Sequence, residues 1–234
     1  VLQATNSWKK SVSIDDLNGY GEAELSKVRE GSEYVVSLQI PVYIDLMTYA
    51  KNRSLREEVY RAYISRASDV GITPVKFDNR KVMDEILKLR SEMSTLLGLS
   101  NYAEYSVQSK MVDSPESVID FLEKLVDLSH LQATTELKDL EDFAGHPLMP
   151  WDLMFYSEKL KQKVFNFKSA DLKPYFPESS VLSGLFETIR NLYGVKLTEV
   201  EESCYHPDVR VITLKDENGP IGKIYFDVYA RENK

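Results

Sequence analysis

The stretch that decides the fold is SPESVIDFLEKLVDLSHLQATTELKDLEDFAG, residues 114–145. It opens with a serine that can cap a helix and a proline, which is favoured at the first helical position. It closes with a glycine, the residue that most often follows a last helical turn. Between these signals, apolar residues recur as one helical face requires: Val118, Phe121, Leu122, Leu125, Leu128, Leu137 and Leu140. The stretch therefore predicts a helix of about 28 residues, roughly 42 Å long.

Similar signals predict further helices on both sides of this stretch. Asn52 can cap a helix that carries an apolar face, and that face comprises Leu55, Val59, Ala62, Tyr63 and Ala67. Asp78 is the expected cap of a second helix, which ends at Leu97 before Gly98. The remaining predicted helices are Ser100–Ser109, one from Trp151 or Asp152 to Phe165, and one from Val181 to Gly194.

Strand patterns are concentrated near the C-terminal end. Val209–Leu214 and Ile221–Tyr229 are rich in β-branched and aromatic residues, and Asp216–Gly219 between them contains an Asn-Gly pair typical of hairpins. Tyr34–Gln39 is a further candidate strand. We therefore predict a mainly α protein with a small antiparallel β-sheet near its C-terminal end.

Both ends of the sequence suggest a piece of a larger enzyme. The chain begins Val1-Leu2-Gln3 without an initiator methionine, and Gly222–Lys234 reads as a well-patterned strand with nothing after it. We expect residues 1–234 to be a single fragment, with a mainly helical part over 1–195. Residues 196–234 would form a hairpin and sheet part.

Composition excludes several classes of partner. The formal net charge of −8 disfavours nucleic acid, because phosphate binding requires a basic face. No apolar run approaches the roughly 20 residues of a membrane span. Cys204 is the single cysteine, so no internal disulfide can form and a reducing, cytoplasmic setting is expected.

The three histidines do not form a metal-binding motif. His130, His146 and His206 are never four residues apart, so the His-Glu-x-x-His pattern of zinc peptidases does not occur. His130 is expected to be packed or solvated on the long helix, and His146 to lie in a turn. His206 could form a dyad with Asp208, although a hydrogen bond that stabilises a turn is the preferred interpretation.

Other candidate groups also have ordinary structural interpretations. Cys204 could act as a nucleophile with His206, which would share its strand face, but an inert thiol is preferred. The adjacent carboxylates are expected to be solvated, because neighbours in sequence point apart; they are Asp15–Asp16, Glu57–Glu58 and Glu201–Glu202. Tyr225 and Tyr229 could line a peptide groove or simply pack. Phosphate-binding glycine loops and serine nucleophile elbows do not occur in the sequence.

Several long segments together resemble the thimet oligopeptidase and oligopeptidase A family of zinc metallopeptidases, and its bacterial oligopeptidase A branch most. These segments cover essentially the whole chain in the family's order: Met47–Asp69, Asp78–Asn79 with Met83–Arg90, Leu97–Ser106 with Lys110–Met111, Trp151–Asp152 with Phe155–Gln162, Pro174–Pro177, His206–Arg210 and Asp227–Lys234. The departures are a short loop around Gly145–Pro150 and Tyr205 in place of an expected tryptophan.

This resemblance implies a parent enzyme that cleaves short peptides with zinc. In that family the His-Glu-x-x-His helix, the third zinc ligand and the substrate-binding tyrosines come after the segment that resembles Tyr225–Lys234. We therefore assign no catalytic or metal residue to this chain, leave its substrate-binding residues unknown and expect it to be inactive alone. The edge of its final strand is expected near the substrate backbone. The alternative is a helical binding or regulatory module without catalysis, and apolar surface left uncovered could cause self-association.

Overall fold

The structure is a computed structural model that describes residues 1–70, 75–229 and 231. The chain forms two compact units, each with most of its contacts among its own residues. The first unit covers residues 1–160, and the second begins at Lys161. The expected change from helices to sheet at residues 195–196 falls within the second unit. The prediction of a mainly α protein with an antiparallel sheet near the C-terminal end is confirmed.

The first unit combines helices with a small antiparallel sheet of order β1-β3-β2. Its strands are β1 (Lys9–Val12), β2 (Arg29–Glu30) and β3 (Glu33–Ser37). Its helices are α1 (Leu2–Ser7), α2 (Glu22–Val28), α3 (Ile40–Tyr49), α4 (Arg53–Ile64), α5 (Arg80–Leu96), α6 (Tyr102–Val107), α7 (Pro115–Ala144) and α8 (Leu153–Phe165), whose last residues belong to the second unit. Of the strands, only β3 corresponds to a predicted one, and β3 ends two residues before the predicted end at Gln39.

Helix α7 confirms the signals from which it was predicted. The hydroxyl of Ser114 accepts a hydrogen bond from the backbone N–H of Ser117 at 3.2 Å, which satisfies one of the free donors of the first turn. Gly145 follows the last helical residue with φ of 76°, a left-handed conformation that favours glycine. The side chains of the predicted stripe are mostly exposed, however. Leu140 is the one buried member, whereas Leu128 is 72% exposed.

Two other predicted helices begin close to their expected caps. The side-chain oxygen of Asn52 accepts a hydrogen bond from the N–H of Leu55 at 3.1 Å, so the cap of α4 is confirmed. Helix α5 begins one residue later than expected, because Asn79 occupies the cap position. Asp78 instead accepts a hydrogen bond from the N–H of Arg80 at 3.0 Å.

The core of the first unit lies where β3 packs with helices α2, α3 and α4. Its fully buried members include Leu17, Val28, Val36, Leu38, Leu46, Val59 and Ala62. A loop before α2 closes one side of this core, because the N–H of Lys51 donates to the carbonyl of Asn18 at 2.8 Å. Gly19 has φ of 111°, and a Cβ atom there would lie 2.0 Å from the carbonyl oxygen of Tyr49. This close approach requires glycine.

A buried ion-pair network joins α4 to the start of α8. Asp152 is fully buried and accepts hydrogen bonds from Arg56 at 2.8 Å and from Arg53 at 2.7 Å. Arg56 is 2% exposed and also donates to the carbonyl oxygens of Ala50 and Trp151. Burial raises the pKa of the Asp152 carboxyl, but the hydrogen bonds from the two arginines outweigh burial and hold that pKa below its usual value.

The second unit contains helices packed with a three-stranded antiparallel sheet. Its helices are α9 (Ser169–Leu172) and α10 (Glu178–Tyr193), and its strands are β4 (Lys196–Val200), β5 (Arg210–Asp216) and β6 (Gly219–Phe226), in the order β4-β5-β6. Strands β5 and β6 pair in antiparallel orientation and form the hairpin that was predicted. The predicted final strand is wrong in its extent, because β6 ends at Phe226 and Asp227–Tyr229 are not in a strand. Residues 230 and 232–234 of that prediction lie outside the described residues.

Candidate functional site

The free edge of strand β6 is the feature of the second unit best suited to bind an extended chain. β5 pairs with one side of β6 from Phe226 to Gly219, and no strand among the described residues pairs with its other side. An edge strand presents unpaired N–H and C=O groups along its length, which can form hydrogen bonds with another chain. On the paired side, the register of β5 against β6 shifts between Leu214 and Lys215, and the pairing continues to Gly219.

The two faces of this sheet differ in what covers them. Arg210, Ile212 and Phe226 share one face, and the ring of Phe226 contacts that of Phe186 in α10 at 6.3 Å, edge to face. Val211 and Tyr225 are paired on the opposite face. On this opposite face Val211 of the central strand β5 is buried, at 2% exposed. Tyr225 of the edge strand β6 is 50% exposed.

A tyrosine, a carboxylate and an arginine form a cluster just after β6. The hydroxyl of Tyr205 donates to Asp227 at 2.9 Å, and Arg231 pairs with both oxygens of the same carboxylate. The hydrogen bond to Asp227 raises the pKa of Tyr205. These contacts fix the chain that leaves the strand and hold Tyr205 in its neutral form.

A second cluster ties the same segment to α10. The hydroxyl of Tyr229 donates to Glu178, and this hydrogen bond raises the pKa of Tyr229. Arg210 also donates to Glu178, at 3.2 Å, and it pairs with Glu199 through two hydrogen bonds. Hydrogen bonds from Arg210 hold the pKa of Glu199 below its usual value. Both β5 and the residues after β6 are thus held against the first residue of α10.

The histidines lie in three separate settings. His130 is exposed on α7. His146 is in a turn, as predicted, with Nδ1 2.8 Å from the carbonyl oxygen of Pro147 and Nε2 3.0 Å from the hydroxyl of Tyr156. Since a carbonyl can only accept, Nδ1 donates to Pro147, and the tautomer with its proton on Nδ1 can accept at Nε2 from the tyrosine.

His206 stabilises a turn, as the preferred interpretation states. Its Nδ1 accepts a hydrogen bond from the backbone N–H of Asp208 at 3.2 Å, and its carbonyl accepts from the N–H of Val209 at 3.1 Å. A catalytic dyad would need Nδ1 to donate to the carboxylate, which is 3.6 Å away. The N–H of Asp208 already occupies Nδ1, so the arrangement does not match a dyad.

Cys204 and the adjacent carboxylates have structural partners. The thiol of Cys204 donates to the carbonyl of Glu202 at 3.4 Å, in a segment without strand structure, so the expected shared face with His206 is wrong. Four of the six adjacent carboxylates have side-chain partners among the described residues, each a different one. Asp16 bonds Ser13 and Asn52, Glu57 bonds Arg61, Glu58 bonds Lys10, and Glu202 bonds Lys223.

Within the described parts of the chain, no three or more His, Cys, Asp or Glu side chains are grouped as metal ligands. The free edge of β6 can pair with the main chain of an extended peptide and orient it, using exposed backbone groups and neighbouring tyrosines.

Sequence reasoning missed the partners that hold this site, Glu178, Arg210 and Arg231. The four-residue spacing of Asp227 and Arg231 was the one available signal. None of the described helices is both long enough and apolar enough to span a membrane.

Comparison with known proteins defines the class of this protein. The profile of peptidase family M3 matches residues 46–234, which is most of the chain. The chain belongs to this peptidase family.

The relatives it resembles include oligopeptidase A of Escherichia coli strain K12, with 44% identity across the whole chain, and oligopeptidase A of Haemophilus influenzae, with 42%. The organellar oligopeptidase A of Arabidopsis thaliana is 35% identical, also across the whole chain. The chain spans 36% of the length of each of the two bacterial relatives and 32% of the plant relative.

Proposed function

We propose that residues 1–234 form one piece of a zinc-dependent oligopeptidase, a metalloendopeptidase that hydrolyses short peptides. The observation that carries this proposal is an overall identity of 44% to an oligopeptidase A in an alignment that covers the whole chain. In this proposal the mainly helical residues 1–195 provide wall structure, and residues 196–234 bring a small sheet towards the catalytic region.

The described residues of this chain do not fit a zinc ion, since no set of grouped ligands occurs among them. We place the zinc ligands and the general base of the parent enzyme outside residues 1–234, and we expect the isolated chain to be inactive. The test is metal analysis of the purified chain together with cleavage of a short quenched fluorescent peptide. Stoichiometric zinc with turnover would overturn the proposed inactivity.

The edge of β6 is proposed to pair with the substrate backbone. Its free edge and the half-exposed side chain of Tyr225, within the same strand, support this role, because strand addition uses main-chain hydrogen bonds that tolerate varied sequences. The test uses an active chimera, in which residues 1–234 replace the matched part of Escherichia coli oligopeptidase A. Peptides N-methylated at one amide at a time should show KM raised about fivefold at alternate positions, since each removes one hydrogen bond worth about 1 kcal/mol. Equal effects at every position would contradict strand pairing.

A non-catalytic binding or regulatory module is the second candidate. It is favoured by one observation, that the histidines, the cysteine and the adjacent carboxylates described here all serve structural contacts or solvent. The gene decides between the two candidates. A reading frame that continues beyond Lys234 into His-Glu-x-x-His supports the peptidase, and a stop codon there supports the module.

We also infer a cytoplasmic location, with short peptides rather than nucleic acid or membrane as partners. The single cysteine and the net charge of −8 support this setting. Self-association of the isolated chain is expected through its exposed apolar side chains. Cell fractionation tests the location, and a clean monomer in sedimentation at high concentration would contradict self-association.

A further inference from the structure

Helix α7 exposes apolar side chains over about half of its circumference. At 100° per residue, seven residues of its first four turns fall within one 180° sector, which is named here the α7 apolar face: Val118, Ile119, Phe121, Leu122, Leu125, Val126 and Leu128. Exposure of the last six ranges from 45% for Leu125 to 72% for Leu128. An amphipathic helix with a sector of this width ordinarily buries it against another element.

The α7 apolar face has a shape and a charge that select its occupant. Ile119, Leu122 and Val126 line an open concavity of about 330 Å³, together with Glu123 and Asp127. The two carboxylates follow one another at i and i+4 along one rim. An apolar ridge flanked by lysine or arginine would therefore complement both the floor and the rim.

We propose that the α7 apolar face is the docking surface for the part of the peptidase polypeptide that lies outside residues 1–234. This inference rests on the proposed function, because it takes the chain to be one piece of a longer peptidase. The matched relatives have most of their length outside the region that this chain covers. In those relatives the additional polypeptide is large enough to cover a helix of 30 residues, and it belongs to the same chain as the matched region, which gives it a high effective concentration there.

The test compares cysteine labelling in the isolated chain and in the chimera with Escherichia coli oligopeptidase A. Both carry Cys204→Ser, and single cysteines are placed by Leu122→Cys and Val126→Cys on the apolar face. Lys124→Cys is the matched control, because position 124 lies on the polar side of the same helix. In the dilute isolated chain all three should react with a maleimide at similar rates. In the chimera, positions 122 and 126 should react at least about tenfold more slowly, since labelling then requires local opening, and position 124 should be unchanged.

Three outcomes separate this inference from the proposed function. Fast labelling at 122 and 126 in a chimera that cleaves peptides would overturn the docking surface and leave the peptidase standing. Protection in a folded chimera without cleavage would support docking and count against the peptidase. Protection in the chimera that disappears on dilution would show that a second copy covers the face, and this would overturn the proposal.

The charged rim has a test that does not depend on cysteine variants. The double change Glu123→Lys with Asp127→Lys reverses the rim while leaving the apolar residues in place. It should lower the Tm of the chimera and leave the Tm of the dilute isolated chain nearly unchanged, because the proposed basic partner belongs to the polypeptide that only the chimera adds. An unchanged Tm of the chimera would overturn the charge complementarity.

Discussion

Removal of the Asp152 carboxylate is expected to destabilise the first unit more than any other single polar change at this network. Asp152→Asn keeps the volume of the side chain but leaves the guanidinium of Arg56, which is 2% exposed, without its counter-charge. Breaking a buried ion pair in this way costs about 3–5 kcal/mol, since one charge remains buried and uncompensated. Arg53→Gln is the matched control. The Arg53 side chain is 48% exposed, so its loss should cost about 1 kcal/mol.

Urea unfolding followed by tryptophan fluorescence measures this effect in the first unit alone. The two tryptophans, Trp8 and Trp151, both lie within residues 1–160. With a slope of about 2 kcal/mol per molar urea, Asp152→Asn should lower the midpoint by about 1.5–2.5 M, and Arg53→Gln by about 0.5 M. Equal shifts for the two variants would refute the claim that the buried charge on Arg56 sets the cost.

Three further predictions concern the same unit and the same fluorescence assay. The difference in free energy of unfolding between the wild type and Asp152→Asn should be fully present above pH 3.8, the ordinary pKa of an aspartate. It should disappear as the pH falls through the lowered pKa of Asp152 in the folded protein, and a constant difference in acid would contradict this. Gly19→Ala should lower the free energy of unfolding by about 3 kcal/mol or more, because its Cβ would meet the carbonyl of Tyr49. Gly31→Ala lies in open space at φ of 64° and should lower it by about 1 kcal/mol. Asn52→Ala should cost about 1–2 kcal/mol through loss of the α4 cap, and Asn52→Ser, which keeps a cap acceptor, should recover most of that; equal losses would contradict the capping role.

The helices with strong local signals could be predicted from the sequence. Helix α7 has its cap at Ser114 and its stop at Gly145, both of which act within one turn, and its bounds were therefore predictable. Strands β1, β2 and β4 have the sequences KKSV, RE and KLTEV, and none of these alternates regularly between apolar and polar residues. Their pairing depends on partners elsewhere in the chain, which local patterns do not contain.

The contacts that hold the structure together were less predictable than its helices. Asp152 was predicted as a residue at which a helix opens, yet its side chain pairs with Arg53 across 99 positions of sequence. The periodicity of α7 identified its apolar sector, but it could not show that the sector lacks cover within the described residues. At the candidate site, the tyrosines were noted from the sequence, whereas the carboxylates that bind their hydroxyls come from distant elements.

Peptide cleavage by the chimera tests the central claim most directly. In the chimera, residues 1–234 replace the matched 36% of Escherichia coli oligopeptidase A. We predict that the chimera binds zinc, cleaves a short quenched peptide and loses this activity with a chelator, while the isolated chain shows no turnover. A chimera that unfolds cooperatively and binds zinc but leaves the peptide intact would contradict the claim that this chain is a working piece of an oligopeptidase.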